Sequence, residues 1–258
     1  MKANRLFLVY LAFFASCESV EETDPLKLSL EAELQELFEL PRLEPVGELS
    51  KVVVYGGDSD EIFSTRDILY PSIGNVSIHV IKDKFEDTSS VGLNFFLNGE
   101  IKTSHSFDYV NHEPKWQSTR EYEYDSDGRL VKQFVTTANQ SQYLLANYMY
   151  DLQDRLLTIE FPSGGGELQM FTYDEFNRVL SEWQTVKGQE DAKINFLHYR
   201  YENDVLKAKE SGEKGREVGP RQDRFRYFYD QSGKLSAQEE FDPYFGFQRK
   251  SRSVMFYY

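Results

Sequence analysis

The sequence predicts an all-β protein: an antiparallel up-and-down meander of hairpins forming a twisted or curled sheet, with one short N-terminal helix. Three observations predict it. A heptad recurs through the C-terminal half, the residues flanking each copy alternate with a period of two, and only one stretch spaces its apolar residues as a helix does. The first copy is Tyr124-Asp125-Ser126-Asp127-Gly128-Arg129-Leu130. It is followed by Tyr150-Asp151-Leu152-Gln153-Asp154-Arg155-Leu156, Tyr173-Asp174-Glu175-Phe176-Asn177-Arg178-Val179 and Tyr229-Asp230-Gln231-Ser232-Gly233-Lys234-Leu235. A copy one residue shorter is Tyr201-Glu202-Asn203-Asp204-Val205-Leu206.

Each heptad position has a physical reading. Tyr closes a strand, in line with its β-propensity. The Asp that follows can accept backbone N–H groups of a turn. Four places after the Tyr stands Gly128, Asp154, Asn177 or Gly233, residue types that tolerate a left-handed backbone, so one position with positive φ is expected. A cation and an aliphatic residue then open the return strand. The unit is a hairpin tip.

Alternation supports the strands. Tyr122/Tyr124, Tyr148/Tyr150, Phe171/Tyr173, Tyr199/Tyr201 and Tyr227/Tyr229 each share one face, with Glu121/Glu123 and His198/Arg200 on the other. The copies begin at 124, 150, 173, 201 and 229, a spacing that holds one up strand, one tip, one down strand and a second connection.

This series resembles the YD repeats of Rhs- and teneurin-type β-sheet shells, from about Trp116 to Tyr258. Such shells have many more repeats and enclose a C-terminal toxin domain. Five repeats here, ending in Ser253-Val254-Met255-Phe256-Tyr257-Tyr258, imply neither a closed cocoon nor a toxin cargo.

The N-terminus divides as 1–16, a lipoprotein signal peptide; 17–47, an acidic tether with an amphipathic helix; and 48–258, the β domain. Lys2 and Arg5 precede an apolar run from Leu6 to Ala15, too short to span a bilayer as a helix. Phe14-Ala15-Ser16-Cys17 resembles a lipobox, which makes Cys17 the expected lipidation site; an ordinary signal peptide or an uncleaved anchor is the alternative. Cys17 is also the only cysteine, so the fold must stand on its core. The acidic residues of Glu18-Ser19-Val20-Glu21-Glu22-Thr23-Asp24 resemble the surface-export signal of Bacteroidota-type lipoproteins, or serve as a solvated tether. The expectation is an outer-membrane lipoprotein, surface-exposed or periplasm-facing.

The helix is expected from Ser29 to Leu40, with Leu30, Leu34, Leu37 and Phe38 on one face, Ser29 as N-cap and Pro41 as stop. Its polar side carries Glu31, Glu33, Glu36 and Glu39, which suits packing on the sheet better than a lipid surface. Leu43 to Gly47 reads as a linker. Strands follow at Leu49–Tyr55 and Val76–Ile81, and Asn98-Gly99 marks a hairpin between Leu93–Leu97 and Ile101–Phe107.

Chemistry is sparse. A net charge of −14 repels nucleic acid, which is not expected as a partner. His79, His105, His112 and His198 show no metal-ligand spacing and read as surface residues of strands or loops. In Ser104-His105-Ser106 the alternation of strand faces separates hydroxyl from imidazole. Ser163-Gly164-Gly165-Gly166 leads into a strand, not a phosphate-binding helix. Asp58-Ser59-Asp60-Glu61 lacks a complete calcium-ligand pattern and reads as a solvated turn. No cofactor, metal or catalytic residue is expected.

The aromatics are ambiguous. Those of the heptads read as the buried face of the sheet, whereas Trp116, Trp183 and the stretch from Phe241 to Phe247 could offer stacking surfaces to sugars. The longest variable connection, Glu210 to Gln222, carries Lys214, Arg216 and Arg221, which would suit an acidic partner or an anionic glycan. The reading is a lipid-anchored envelope module for binding or structure, held to the membrane through Cys17, with an unidentified protein or glycan partner. A surface glycan-binding protein using exposed aromatics is the alternative.

Overall fold

The computed structural model describes residues 25–43, 48–57, 61–72, 74–212, 215, 217, 220–244 and 248–257. Cys17 and the acidic residues after it, Asp58 to Asp60, Lys214 and Arg216 lie outside the described residues. A helix, α1 (Pro25–Glu39), and a two-residue strand, β1 (Arg42–Leu43), come first. Then follow β2 (Leu49–Gly56), β3 (Ile62–Pro71), β4 (Val76–Asp83), β5 (Thr88–Leu97), β6 (Glu100–Val110), β7 (Glu113–Tyr124), β8 (Leu130–Thr137) and β9 (Gln140–Tyr150). The chain continues through β10 (Leu156–Phe161), β11 (Glu167–Tyr173), β12 (Val179–Val186), β13 (Ile194–Glu202), β14 (Val205–Ser211), β15 (Gln222–Tyr229), β16 (Leu235–Asp242) and β17 (Gln248–Tyr257).

The fold is all-β and an antiparallel meander, but the sheet is not open. Each strand from β2 to β17 pairs with its sequence neighbour, and β17 pairs with β2, closing a 16-stranded barrel. Residues 48–110 belong to the same wall, as β2 to β6. Closure satisfies both edges that an open meander would leave unpaired.

The heptad explains how the last pair forms. In the first copy Tyr124 pairs with Leu130, and after an irregularity Glu123 pairs with Lys132, which leaves Val131 as a bulge. Leu157, Leu180, Lys207 and Ser236 occupy the same bulged place after the other tips. At the closing pair, Tyr257 faces Leu49, Phe256 faces Lys51, and Ser50 is the extra residue. The two chain ends thus meet in the register of a hairpin whose tip is missing. Such bulges sharpen the local twist, which favours closure.

Two tips in the N-terminal half follow the same plan under different letters. Tyr70-Pro71-Ser72-Ile73-Gly74-Asn75-Val76 matches the heptad in spacing, with Gly74 at φ 77° donating to the Pro71 carbonyl at 3.1 Å. Phe96↔Ile101 and Leu97↔Glu100 match the short copy, where Tyr201 pairs with Leu206 and Glu202 with Val205.

Chirality decides which face lines the lumen. For an upward strand of L-residues, a side chain toward the viewer puts that residue's N–H and C=O to the right. Asp125 donates its N–H to the Arg129 carbonyl across the tip, so from the Glu121/Glu123 face β8 lies to the right of β7. Cross-strand partners traced rightward from Lys51 run through Asp67, Val80, Val91 and Phe107 to Trp116, near the foot of β7. Further on, Thr137 pairs with Gln140, the first residue of β9, and the path must climb to Asn147 before it can cross to β10. This drift means that strands lean up and to the right on that face. The natural twist gives that lean to the outer surface of a barrel. Glu121 and Glu123 therefore face outward, and Tyr122 and Tyr124 face the lumen.

Helix α1 lies on the outer surface. Leu30, Leu34 and Leu37 pack on Val76, Ile78 and Val80 of β4, Val91 and Leu93 of β5, Phe107 of β6 and Trp116 of β7, with Leu34 fully buried. The helix starts at Pro25, four residues before the expected Ser29 cap; Pro suits a first turn because an N–H there would have no partner within the helix. At the other end, Arg42 donates to the carbonyls of Leu37 at 2.9 Å and Phe38 at 2.7 Å. The predicted linker is shorter at its start: Arg42 and Leu43 pair with Pro71 and Tyr70.

Candidate ligand-binding lumen

One rim of the barrel is built from the tips. At the four full copies φ is +79° for Gly128, +61° for Asp154, +61° for Asn177 and +84° for Gly233. Asp125, Asp151, Asp174 and Asp230 each accept two backbone N–H groups through Oδ1, two and four residues on. In the first three, Oδ2 also takes the Arg Nε at 2.7–2.8 Å. For Asp125 the Arg129 side chain is the main reason that its carboxyl is held below the ordinary range. Each arginine then reaches the following repeat: Arg129 bonds Asp154, Arg155 bonds Asn177 at 3.1 Å, and Arg178 bonds Asp204 at 2.7 Å. The same guanidiniums lie over the rings of Tyr150, Tyr173 and Tyr201 at 5.3, 4.7 and 4.5 Å.

The repeat tyrosines tie hairpin to hairpin. Tyr150, Tyr173, Tyr201, Tyr229 and Tyr257 donate their hydroxyls to the carbonyls of Leu130, Leu156, Val179, Leu206 and Leu235. Tyr124 does so to Ile101, and Tyr70 to Leu49. Among the described residues, β5 is the one up strand that lacks the bond, because Phe96 stands where the others have Tyr. These roles are architectural.

Below this rim the lumen carries chemistry suited to ligands. Half-buried Tyr122, Tyr148, Phe171, Tyr199 and Tyr227 stand on alternate strands, interleaved with Gln133, Glu182, Lys209 and Gln238 of the same face. They are not the sealed core that alternation alone suggests. Tyr148 donates to Gln133 Oε1 at 3.1 Å, Gln169 to Glu182 at 3.3 Å, and Lys209 Nζ meets Glu182 at 3.1 Å while lying 4.4 Å from the Tyr199 ring centre. Burial, then the nearby Glu182 carboxylate, raises the Tyr199 phenol and pushes Tyr227 up to about 12.

On β3 to β7 the lumen wall holds a polar cleft of about 340 Å³. Gly92, Ser90, Ser106 and Ser118 keep its floor low, Arg66 stands at one end and Arg120 at the other, with His79, Asn94 and Ser104 between. Asn94 is the hub: its Nδ2 lies 3.1 Å from His79 Nε2 and 3.3 Å from Ser77 Oγ, and its Oδ1 accepts from Ser104 at 2.8 Å. Burial, then the positive charge of Arg66, lowers the His79 imidazole.

Several residues singled out from sequence sit elsewhere. Trp116 is 4% exposed beneath α1 and donates Nε1 to Thr119; Trp183 is 9% exposed, with Lys193 Nζ 4.7 Å from its ring centre. Neither offers a stacking face. Tyr244, after β16, is exposed, while Phe245 and Phe247 lie outside the described residues. Arg221 is exposed on the rim opposite the tips, 5.7 Å from the Phe196 ring centre. The loop it belongs to is shorter than expected, because β14 runs to Ser211 and β15 starts at Gln222. His79 and His105 are half-buried strand residues rather than fully exposed ones: burial lowers the His105 imidazole to about 4, and its Nδ1 lies 2.8 Å from Thr119 Oγ1. Sequence reasoning misses the cleft residues because they come from strands with no heptad, and only the pairing register brings them together.

No protein-family model matches the chain, and no curated protein does. Among solved structures, the chain is similar to the Photorhabdus luminescens Tc holotoxin pore carrying the TccC3-D651A mutation, at 13% identity over 76% of this chain and TM-score 0.32. It is also similar to TcdB2-TccC3 without its hypervariable C-terminal region, at 14% identity over 73% of this chain and TM-score 0.32. It spans 11% and 12% of those two chains. A porin-like protein from Bacteroides uniformis matches at 11% identity, with 84% of this chain and 100% of that one covered and TM-score 0.45. Identities and scores this low assign the chain to no family.

Proposed function

We propose that this protein is a non-catalytic, lipid-anchored barrel of the cell envelope that binds its ligand in the lumen, and that its hairpins are YD repeats in a short, closed form. The observation that carries the reading is that both faces of the wall hold charged residues. Asp67, Lys82, Glu123, Lys132, Arg226 and Glu239 face outward, and Arg66, Arg120, Glu182, Lys209 and Glu240 face inward. A membrane-spanning barrel needs an apolar outer band, and charges within it are costly. Charges on both faces support a wall that stands in water, with attachment through Cys17 as the reading that goes with it.

A glycan ligand is the second reading, favoured by the aromatic stripe from Tyr122 to Tyr227. Aromatic faces interleaved with amides and charged groups match the apolar faces and hydroxyl edges of sugars. Cys17→Ser should release the protein from membranes; unchanged fractionation with no lipid adduct by mass spectrometry would sink the anchor. A pull-down and a glycan array with residues 18–258 test the binding role. Loss of a captured ligand on Tyr199→Ala with Tyr227→Ala supports the lumen, and undiminished capture moves the site elsewhere.

A further inference from the structure

We infer that the cleft between Arg66 and Arg120 binds an acidic oligosaccharide, through one anionic group at each end and sugar hydroxyls in the middle. The inference rests on the reading of the lumen as the ligand site.

The argument begins with charge. The chain carries a net charge of −14, and many of its cations are matched: on the outer face Lys82 pairs with Asp67 and Lys132 with Glu123, and in the lumen Lys209 pairs with Glu182. Arg66 and Arg120 differ. Both are exposed to the lumen, and among the described residues neither has a carboxylate within 4.0 Å. The cleft lining itself includes no acidic residue; Asp108, two residues beyond Ser106 on β6, stands opposite Lys115. Two guanidiniums with no carboxylate partner facing one cleft leave its donors unmatched, and guanidinium forks suit carboxylate or sulfate oxygens.

Geometry then sets the size of the ligand. Arg66 on β3 and Arg120 on β7 are four strand spacings apart, roughly 19 Å across the strands, and farther along the wall, because the cross-strand line from Arg66 meets β7 at Lys115. One small anion cannot engage both, so the ligand carries at least two negative groups on an extended frame. The floor between them narrows the class. Ser90, Ser104, Ser106, Ser118 and Asn94 offer hydroxyl and amide groups that both donate and accept, as sugar hydroxyls do. Gly92 keeps that floor open: a Cβ there would meet only His79 Cβ at 3.8 Å and the His105 carbonyl at 4.0 Å.

The test is calorimetric titration of residues 18–258 with oligogalacturonate, a heparin-derived sulfated oligosaccharide, neutral cello-oligosaccharide and polyglutamate. Binding of at least one acidic oligosaccharide, weakened at least tenfold by Arg66→Glu and by Arg120→Glu but not by the outer-face Lys132→Glu, supports the inference. Both arginines are exposed and unpaired, so neither substitution should unfold the barrel, and unchanged thermal midpoints check this. Equal binding of polyglutamate overturns the saccharide class. Neutral oligosaccharide binding that ignores both substitutions overturns the acidic cleft yet leaves the lumen reading intact. No binding of any acidic oligosaccharide overturns the inference alone, since the pull-down decides the broader reading.

Discussion

At Gly233 the backbone sits at φ +84° and a Cβ would have nothing within 4 Å, so any cost of a side chain there is conformational. Gly233→Val should destabilise by about 1–2 kcal/mol, because a β-branched residue strains in the left-handed region. Gly233→Asn should cost much less, since Asn177 holds the equivalent place at +61°. Equal urea midpoints for the two variants would contradict this. His105 gives a second residue-scale prediction. Its imidazole is lowered by burial from 6.5 to about 4, so between those values the unfolded chain takes up a proton that the folded one refuses. Stability present above pH 6.5 is lost progressively toward pH 4, by up to about 3 kcal/mol, and burial of His79 and His198 pushes in the same direction. Urea unfolding from pH 7 to 4.5 should show the decline, and His105→Gln should flatten it.

At the scale of elements, the helix and the tips were legible to different degrees. Leu30, Leu34 and Leu37 at helical spacing announced an apolar face, and that face is what α1 buries. Leu34→Ala should cost about 2–5 kcal/mol in thermal or chemical unfolding, because the side chain is fully enclosed. A smaller loss would mean that the helix contributes little to the fold. The heptads were legible because Tyr, Asp, a left-handed residue and a cation recur together. The hairpin at Asn98-Gly99 was legible as a hairpin but not as a copy of the repeat, because Phe96 replaces the Tyr; the tip at Tyr70 was not legible, since Pro71 replaces the Asp and Asn75 the Arg, although the spacing survives. Trp116 misled because a lone aromatic gives no sign of what will cover it. The Arg66–Arg120 cleft was hidden for a related reason, since alternation marks His79, Ser90 and Asn94 as a polar face but gives no sign that this face lines a lumen.

For the whole molecule, closure was the feature least visible in sequence. It depends on Tyr257 finding Leu49, a pairing of two chain ends that no local pattern specifies. A direct check uses Val54 and Ser253, opposite one another across the closing pair on the lumen side. In a chain lacking Cys17, Val54→Cys with Ser253→Cys should oxidise to a disulfide that speeds migration on a non-reducing gel and raises the thermal midpoint. Failure to cross-link under oxidising conditions would mean that the barrel stands open.

The tip register shared by every hairpin, including the one split between the two chain ends, makes each repeat an interchangeable stave. Away from α1 and β1, a stave touches only its two neighbours, through the strand ladder, one bulge, one tyrosine hydroxyl wherever the up strand ends in Tyr and, at the full copies, one cation. Duplication of a single hairpin would therefore insert itself between β8 and Tyr257 without disturbing the rest of the hoop, whereas α1 ties β4 to β7 together. Since barrel diameter grows roughly in proportion to strand number, one added stave would widen the bore by about one eighth. The breadth of ligand that the lumen admits is thus open to change in whole steps, by copying and deleting short lengths of chain rather than by reshaping the wall residue by residue.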